Sequence, residues 1–467
     1  MGNMFKRTQA ACDLPLDDAY CEQVVKGAVK LLHEHGLQLT SHKVRTWFSS
    51  GKGVILKPER ICFEPDAIYL YLEDMRSRID SPPQEIAFEH GHPWSCLNWA
   101  DIEQGVVRPA TEADLVRAVK FLDAYGVPGH VPPIALNAYP PSLRDLHGTR
   151  ICLEHSPVYG APTHTPGEKE LDLYKQMSRV VNRQIWVLAM LIVNPMKFDD
   201  AVLEFVIDHH QDKELAIEMT GGLPCVGSTC PLVFPAAHMQ GLAEDLAACM
   251  FMHAITGEYP PPYLRGGPFD MRFMNYCVAG SEYALLDLAN RRLHEYLCGV
   301  PRNWGYLLSM SRWPDQQAAH ERTVSCWLQA MNGATFFHGS GQLASDEVFS
   351  LEQVVIDRTI VKGAERMVKG LKWDTSFERS YQIIEEGLTQ GNYLNHDSTL
   401  DEYRDFYGQR ELFPAMNLAQ WRVHHKPTPI SMVQEIIDTY LAKHTFQRED
   451  HEIRELRRIC QYGEKSL

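Results

Sequence analysis

At 467 residues the chain is long enough for one large domain with additions, and its 45% hydrophobic and 22% charged residues are those of an ordered globular protein. A net charge of −15 disfavours nucleic acid and anionic membranes as partners and mildly favours a cationic one. The longest apolar run, Ile185–Val193, is too short to span a bilayer. No secretory signal opens the chain, and the twelve scattered cysteines hold no C-x-x-C pair, so reduced thiols in a cytoplasmic protein are expected. Cys225 and Cys230 have no second ligand pair, so no metal site is expected there.

Residues 1–96 read as an α-rich cap. Tyr20–His35 carries apolar residues at helical spacing and Gly36 is placed to stop it. A short helix over Lys43–Phe48 follows, then strands at Val54–Leu56, Ile61–Phe63 and Ile86–Phe88, with a helix near Pro65–Arg76. From about residue 97 a strand–helix rhythm sets in. Thr111 with Asp114 starts a helix over Glu112–Tyr125, and Val131–Leu136 and Val158–Pro162 read as strands. Thr165-Pro166-Gly167-Glu168 starts the next helix. Strands at Trp186–Val193 and Leu215–Met219 precede helices around Asp199–His210 and Pro235–Ile255. Tyr263–Arg265 and Trp304–Ser309 lead into helices around Cys277–Leu297 and Asp315–Met331. Ala334–His338 is a short apolar strand broken by Gly339 and Gly341, and Ser350 with Gln353 forms a capping box for a helix to about Lys369. Repeated βα units with apolar, unalternating strands imply a parallel sheet covered on both faces, and their number favours a closed (β/α)8 barrel at 97–375 over an open sheet. Residues 376–467 lose the rhythm: Ser380–Leu388, Met432–His444 and Arg448–Gln461 are expected helices and Gly391–Tyr407 is irregular, an extension that packs on the barrel or makes a homo-oligomer contact.

The chain lacks G-x-G-x-x-G after a strand, G-x-x-x-x-G-K-[ST], G-x-S-x-G and H-E-x-x-H, which argues against nucleotide, nicotinamide, serine-hydrolase and zincin chemistry. Polar and aromatic residues instead collect at expected strand ends: Tyr159, His164, Glu218, Arg265, Asp270, Tyr306, Arg312, Phe337, His338 and Gln342. Aromatic rings with a few acids suit an ammonium centre, and an arginine or histidine nearby suits a carboxylate at its other end. Core packing, a turn cap at Asp270 and a solvated Arg312 are the competing structural readings. The pairs His209-His210 and His424-His425 are adjacent, share no helix face, and read as surface.

Several segments, in order, resemble the trimethylamine methyltransferase superfamily. They are Gly227-Ser228-Thr229-Cys230-Pro231, Ala243-Glu244, Asp270-Met271-Arg272, Asp315-Gln316-Gln317-Ala318, Gly339 to Leu343 and Ser350 to Asp357. Tyr393 to His396, Ser398-Thr399-Leu400 and Glu411-Leu412-Phe413-Pro414 continue the series, which covers roughly residues 97–415. The resemblance implies a (β/α)8 barrel that passes a methyl group from a methylated amine to the cobalt of a separate corrinoid protein. The archetype carries pyrrolysine near the barrel centre. None stands here, as in relatives similar to glycine betaine and other quaternary-amine methyltransferases. Ser309-Met310-Ser311-Arg312 departs from the family's S-D-[SA]-K, and Thr229-Cys230-Pro231 from its T-[AL]-P.

On this reading Phe337, Tyr306 and Tyr159 wall a cage, and His338 and Arg312 hold a substrate carboxylate. Glu218 or Asp270 balances charge, His164 lines the same site, and Gln342 faces the methyl group. His338, Gln342 and Glu218 are the expected catalytic group, with no metal and no cofactor bound by this chain. The cobalamin arrives on its partner, and the substrate is a betaine such as glycine betaine. The alternatives are a pterin such as tetrahydrofolate as acceptor, or an inactive binding protein for cationic osmolytes.

Overall fold

The computed structural model describes residues 16–79, 87–371, 376–407, 412–424 and 427–467. Ile86, Glu411 and His425, named above in a strand, a motif and a histidine pair, lie outside the described residues.

The body alternates short parallel strands with helices: β1 (Glu89–Gly91), α1 (Glu112–Tyr125), α2 (Pro141–His155), α3 (Glu168–Val181), β2 (Ile185–Met190), α4 (Asp200–His209), β3 (Leu215–Thr220), α5 (Phe234–Thr256), α6 (Ser281–Cys298), β4 (Trp304–Tyr306), α7 (Gln316–Met331), β5 (Phe336–His338) and α8 (Leu351–Lys369). Local chemistry sets the helix starts. Thr111 and Asp114 form a full capping box on α1. On α8 the Ser350 hydroxyl accepts from the Gln353 N–H, but the Gln353 side chain turns inward to donate to Asp357 at 2.8 Å, so the expected capping box is a simple cap. Asp357 and Arg322 are both fully buried and paired at 2.9 Å, and Asp357 also accepts from the Gly341 N–H at 2.7 Å. That pair fastens the loop after β5 to α7 and α8.

The fold is α/β as expected, but its regular strands do not form a closed ladder. β4 pairs with β5 and β5 with β1, all parallel, and β2 pairs with β3. Between these groups the chain runs irregularly through 127–130, 159–161 and 263–266, tied by single backbone bonds such as His92 N–H to Pro128 C=O (2.7 Å) and Gly160 N–H to His130 C=O (2.8 Å). Pro128, Pro162 and Pro262 lack the N–H a ladder needs, and Gly129, Gly160 and Gly266 weaken strand order. Val131–Leu136 is likewise not a strand.

Helices cover the outer faces of these segments. The helix Asp18–Glu34 packs on α5, and Pro429–Lys443 packs on α1 and α8 while Asp450–Ser466 packs on α2 and α3. Gly36, at φ +58°, turns the chain out of the first helix where a Cβ would strike the Ile61 carbonyl. Among the described residues no helix is long and apolar enough to cross a membrane.

Candidate active site

A strand under helices buries its outward side chains, and in a filled barrel the inward ones are buried too. Here only the outward set is. Ile185, Val187, Ala189 and Phe337 are fully buried, whereas the alternate residues Trp186 and Leu188 of β2, Trp304 and Tyr306 of β4, and Phe336 and His338 of β5 remain partly accessible, and Glu218 of β3 is exposed. The inward faces therefore enclose an open, solvent-reachable lumen rather than a packed core.

Aromatic rings line it. His338 lies 4.9 Å from Phe336, 5.7 Å from Tyr306 and 6.1 Å from Trp304, centroid to centroid. His92, just past β1, is 5.4 Å from His338 and 5.0 Å from His130, and His130 stacks on Trp186 at 4.7 Å and 15°. Tyr263 closes toward Trp304 at 6.4 Å. The Trp186 indole N–H donates to Glu218 Oε2 at 3.0 Å, setting a carboxylate among the rings.

The imidazoles are neutral. Burial, and behind it His92 and Arg265, push His338 down to about 3; burial and then His130 push His92 to about 4; burial also lowers His130. His338 Nδ1 is buried without a hydrogen-bond partner, an atom left for a ligand to satisfy. Among the described residues, the cation beside these rings is Arg265. Its Nε and Nη2 donate to the Gly222 (3.2 Å) and Gly221 (3.1 Å) carbonyls and to Thr220, and its guanidinium lies 5.3 Å over the Tyr263 ring. Behind it burial raises the Asp245 carboxyl to about 7, so that this neighbour neutralises Arg265 incompletely.

Of the residues expected from sequence, Tyr306, His338, Glu218 and Arg265 meet in this lumen. Phe337 does not. It points opposite to His338, as successive strand residues must, and packs against Phe88 at 6.4 Å in the core. Tyr159 is fully buried, donating its hydroxyl to the Val127 carbonyl at 2.8 Å. Arg312 is exposed on the loop after β4. Asp270 sits on an exposed hairpin where Arg272 holds its carboxyl down to about 2. His164 lines a neighbouring cavity of about 370 Å³ with Trp94, Val131 and Arg144; Asp145, 2.7 Å away, and then Glu170 hold its imidazole up at about 9. Gln342 is fully buried behind the wall, with Nε2 3.5 Å from the Trp94 carbonyl and Oε1 unpartnered. Trp186, Trp304, Phe336, His92 and His130 were not singled out from sequence, although Trp304 and Phe336 share parity with Tyr306 and His338 and could have been found by counting in twos. Among the described residues no group of three His, Cys, Asp or Glu is arranged to hold a metal ion.

The family model described as trimethylamine methyltransferase (MTTB) matches residues 3–457. Trimethylamine methyltransferase MttB of Desulfitobacterium hafniense is 27% identical over 401 residues, 80% of this chain and 79% of that protein. MttB2 of Methanosarcina mazei is 34% identical over 103 residues, 22% of this chain, and the match spans about a fifth (21%) of that relative's length. The L-carnitine:corrinoid methyltransferase of Eubacterium limosum is 26% identical over 190 residues, 39% of each chain. A crystal structure of the Methanosarcina barkeri monomethylamine methyltransferase aligns over 92% of this chain and 87% of that one, at 12% identity and a TM-score of 0.45.

Proposed function

The chain belongs to the trimethylamine methyltransferase (MTTB) family, and from that premise we propose that it transfers a methyl group from a quaternary amine of the betaine type to the Co(I) of a corrinoid carried by a separate protein. The observation that carries this reading is the open lumen walled by Trp186, Trp304, Tyr306 and Phe336 around Glu218, an environment that attracts an ammonium through ring faces and one carboxylate. The reaction suits a site without a strong acid. A quaternary nitrogen is already a cationic leaving group, so departure of the tertiary amine needs no proton, and the partner's cobalt supplies the nucleophile.

The work left to this chain is binding, orientation and exclusion of water. The rings hold the ammonium with one methyl toward the open strand ends. Arg265, in place of the exposed Arg312, receives the substrate carboxylate, and His338 Nδ1 meets its remaining oxygen. Neutral His92, His130 and His338 add no repulsion to the cation. Eight staves, counting 127–130, 159–161 and 263–266 with the regular strands, complete a (β/α)8 barrel on this reading.

The test is anaerobic incubation with cob(I)alamin and a panel of glycine betaine, proline betaine, carnitine, choline and trimethylamine, following methylcobalamin by absorbance. Methylation by a betaine is expected. If no quaternary amine methylates cobalamin and none binds by calorimetry, the proposal fails. Direct methylation of tetrahydrofolate would replace the acceptor.

A further inference from the structure

We propose that Glu244 and Asp245, successive acids on α5 outside the lumen, position Arg265 and so set the preference for a substrate that carries a carboxylate. The inference rests on the proposed function, in which Arg265 receives that carboxylate. Ala243-Glu244 is one of the segments picked out in the sequence, yet the lumen itself gives it no role. Both acids are almost fully buried, at 1% and 4% exposure, where an ionisable group needs partners. Successive side chains on a helix diverge by about 100°, so the two reach different loops.

Glu244 reaches the loop after β2. Its Oε1 accepts from the Met196 N–H at 2.7 Å and from Gln240 Nε2 at 3.0 Å, and its Oε2 accepts from Asn194 Nδ2. That carboxylate orients the Asn194 amide, whose Oδ1 is left to accept from the Leu223 N–H at 3.0 Å. Leu223 follows Gly221 and Gly222, whose carbonyls hold Arg265. A Gly-Gly segment has the widest choice of backbone conformations, so carbonyls aimed at one guanidinium need a hold from outside. Asn194 supplies it, and lies so near Gly222 that a Cβ there would come within 2.8 Å of its amide.

Asp245 takes the other side of the contact. Its Oδ2 accepts at 2.6 Å from the N–H of Leu264, the residue just before Arg265, and its Oδ1 would be 2.1 Å from a Cβ on Gly221. One helix thus pins both partners, the carbonyls through Asn194 and the arginine's own backbone through Leu264. The hydrogen bonds of the guanidinium go to residues 220–222 and those of the two acids to other groups, so the acids act through the backbone.

The relay through Asn194 has a polarity that can be reversed. Glu244→Gln sets an amide nitrogen against Asn194, which turns its own amide over and points Nδ2 at the Leu223 N–H. The hold on the loop is then lost with almost no change in volume. Adding Asn194→Asp restores it, since an aspartate accepts both from the new amide and from the Leu223 N–H.

Calorimetry on the full chain with glycine betaine and choline is the test, with circular dichroism and melting as controls for folding. Glu244→Gln should weaken glycine betaine roughly fivefold or more, the scale of a lost hydrogen bond, and leave choline, which has no carboxylate, within about twofold. Glu244→Gln with Asn194→Asp should recover most of that loss. Asp245→Ala should act in the same direction as Glu244→Gln, whereas Asp245→Asn, which keeps an oxygen for the Leu264 N–H, should bind betaine no more weakly than the unaltered chain. Equal loss of both ligands, or no recovery in the double variant, makes the acids supports of the fold alone and overturns the proposal. So does a Glu244→Gln variant that keeps full betaine affinity while Arg265→Lys loses it. If the unaltered chain binds no betaine, or Arg265→Lys leaves betaine unaffected, the role given to Arg265 in the proposed function fails, and this inference with it.

Discussion

Phe336 and Phe337 are neighbours with opposite duties, and replacing each by leucine separates them. Phe336 lies in the lumen wall, 4.9 Å from His338 and 5.3 Å from His92. Leucine there keeps apolar contact but removes the ring face, and a cation–π contact in a desolvated site is worth up to about 2 kcal/mol, or about 30-fold in affinity. Phe337 is fully buried under the helices and stacked on Phe88. Leucine there leaves binding within about twofold and costs about 1–1.5 kcal/mol of packing. Isothermal calorimetry with glycine betaine, run beside tert-butylacetate, its uncharged-head isostere, reads the first effect; thermal melting reads the second. Phe336→Leu should lose betaine affinity far more than isostere affinity with little change in melting. If Phe337→Leu is the variant that loses betaine, or Phe336→Leu costs both ligands equally, the assignment of faces or the cage itself is wrong.

Arg265→Lys should weaken glycine betaine at least tenfold, the scale of a charge-assisted hydrogen bond, while leaving choline nearly unchanged; equal loss of both in calorimetry would make Arg265 a loop support only. Arg322→Met strands the buried Asp357 carboxylate and should destabilise by about 3–5 kcal/mol in urea unfolding, with Arg322→Met/Asp357→Leu recovering a large part; no recovery would refute the pairing argument. His164, whose folded pKa of about 9 exceeds its unfolded value, contributes stability that is complete below about 6.5 and lost as pH rises through 9. His164→Gln should flatten that alkaline limb in melts taken across pH. His90, His92 and His338, held down at about 3, 4 and 3, act in the opposite sense, costing stability as pH falls below about 6.5 because the unfolded chain takes up their protons first. His338→Asn should shift the acid limb of melting downward in pH and lower turnover at least tenfold.

Where periodicity and caps coincide, the chain is readable. Glu112–Tyr125 is found at its bounds because Thr111, Asp114 and Gly126 mark both ends. Pro141–His155 is missed because it buries Asp145, His147, Thr149 and Glu154 beside its apolar residues, so no 3.6-residue stripe survives in the sequence. Asp397–Tyr407, expected to be irregular, is a helix whose apolar residues face solvent. In the site, strand ends were located well but faces were not. Pairing Phe337 with His338 runs against the period of two, and a place at a strand end, which Arg265 and Arg312 share in the sequence, does not say which guanidinium turns inward. Arg265 turns in because the carbonyls of Gly221 and Gly222, from the neighbouring stave, capture it, a long-range pairing that local pattern does not carry.

Those two carbonyls also bear on the choice among amines. With the histidines neutral and Asp245 raised to about 7, the lumen's opposed charges are the Arg265 guanidinium and the Glu218 carboxylate, at separate points on the wall. A zwitterion meets both, its ammonium toward Glu218 and the rings and its carboxylate toward Arg265. Choline meets one and leaves the guanidinium with an alcohol. Trimethylamine must take up a proton both to be held by Glu218 and the rings and to leave as neutral dimethylamine, and imidazoles held well below neutrality are uncharged and carry no proton to give it. A buried charge without its counterpart is costly. On the proposed function, calorimetry is therefore expected to rank betaine above choline and choline above trimethylamine, and a reversed order would refute the pairing of Arg265 with the substrate carboxylate.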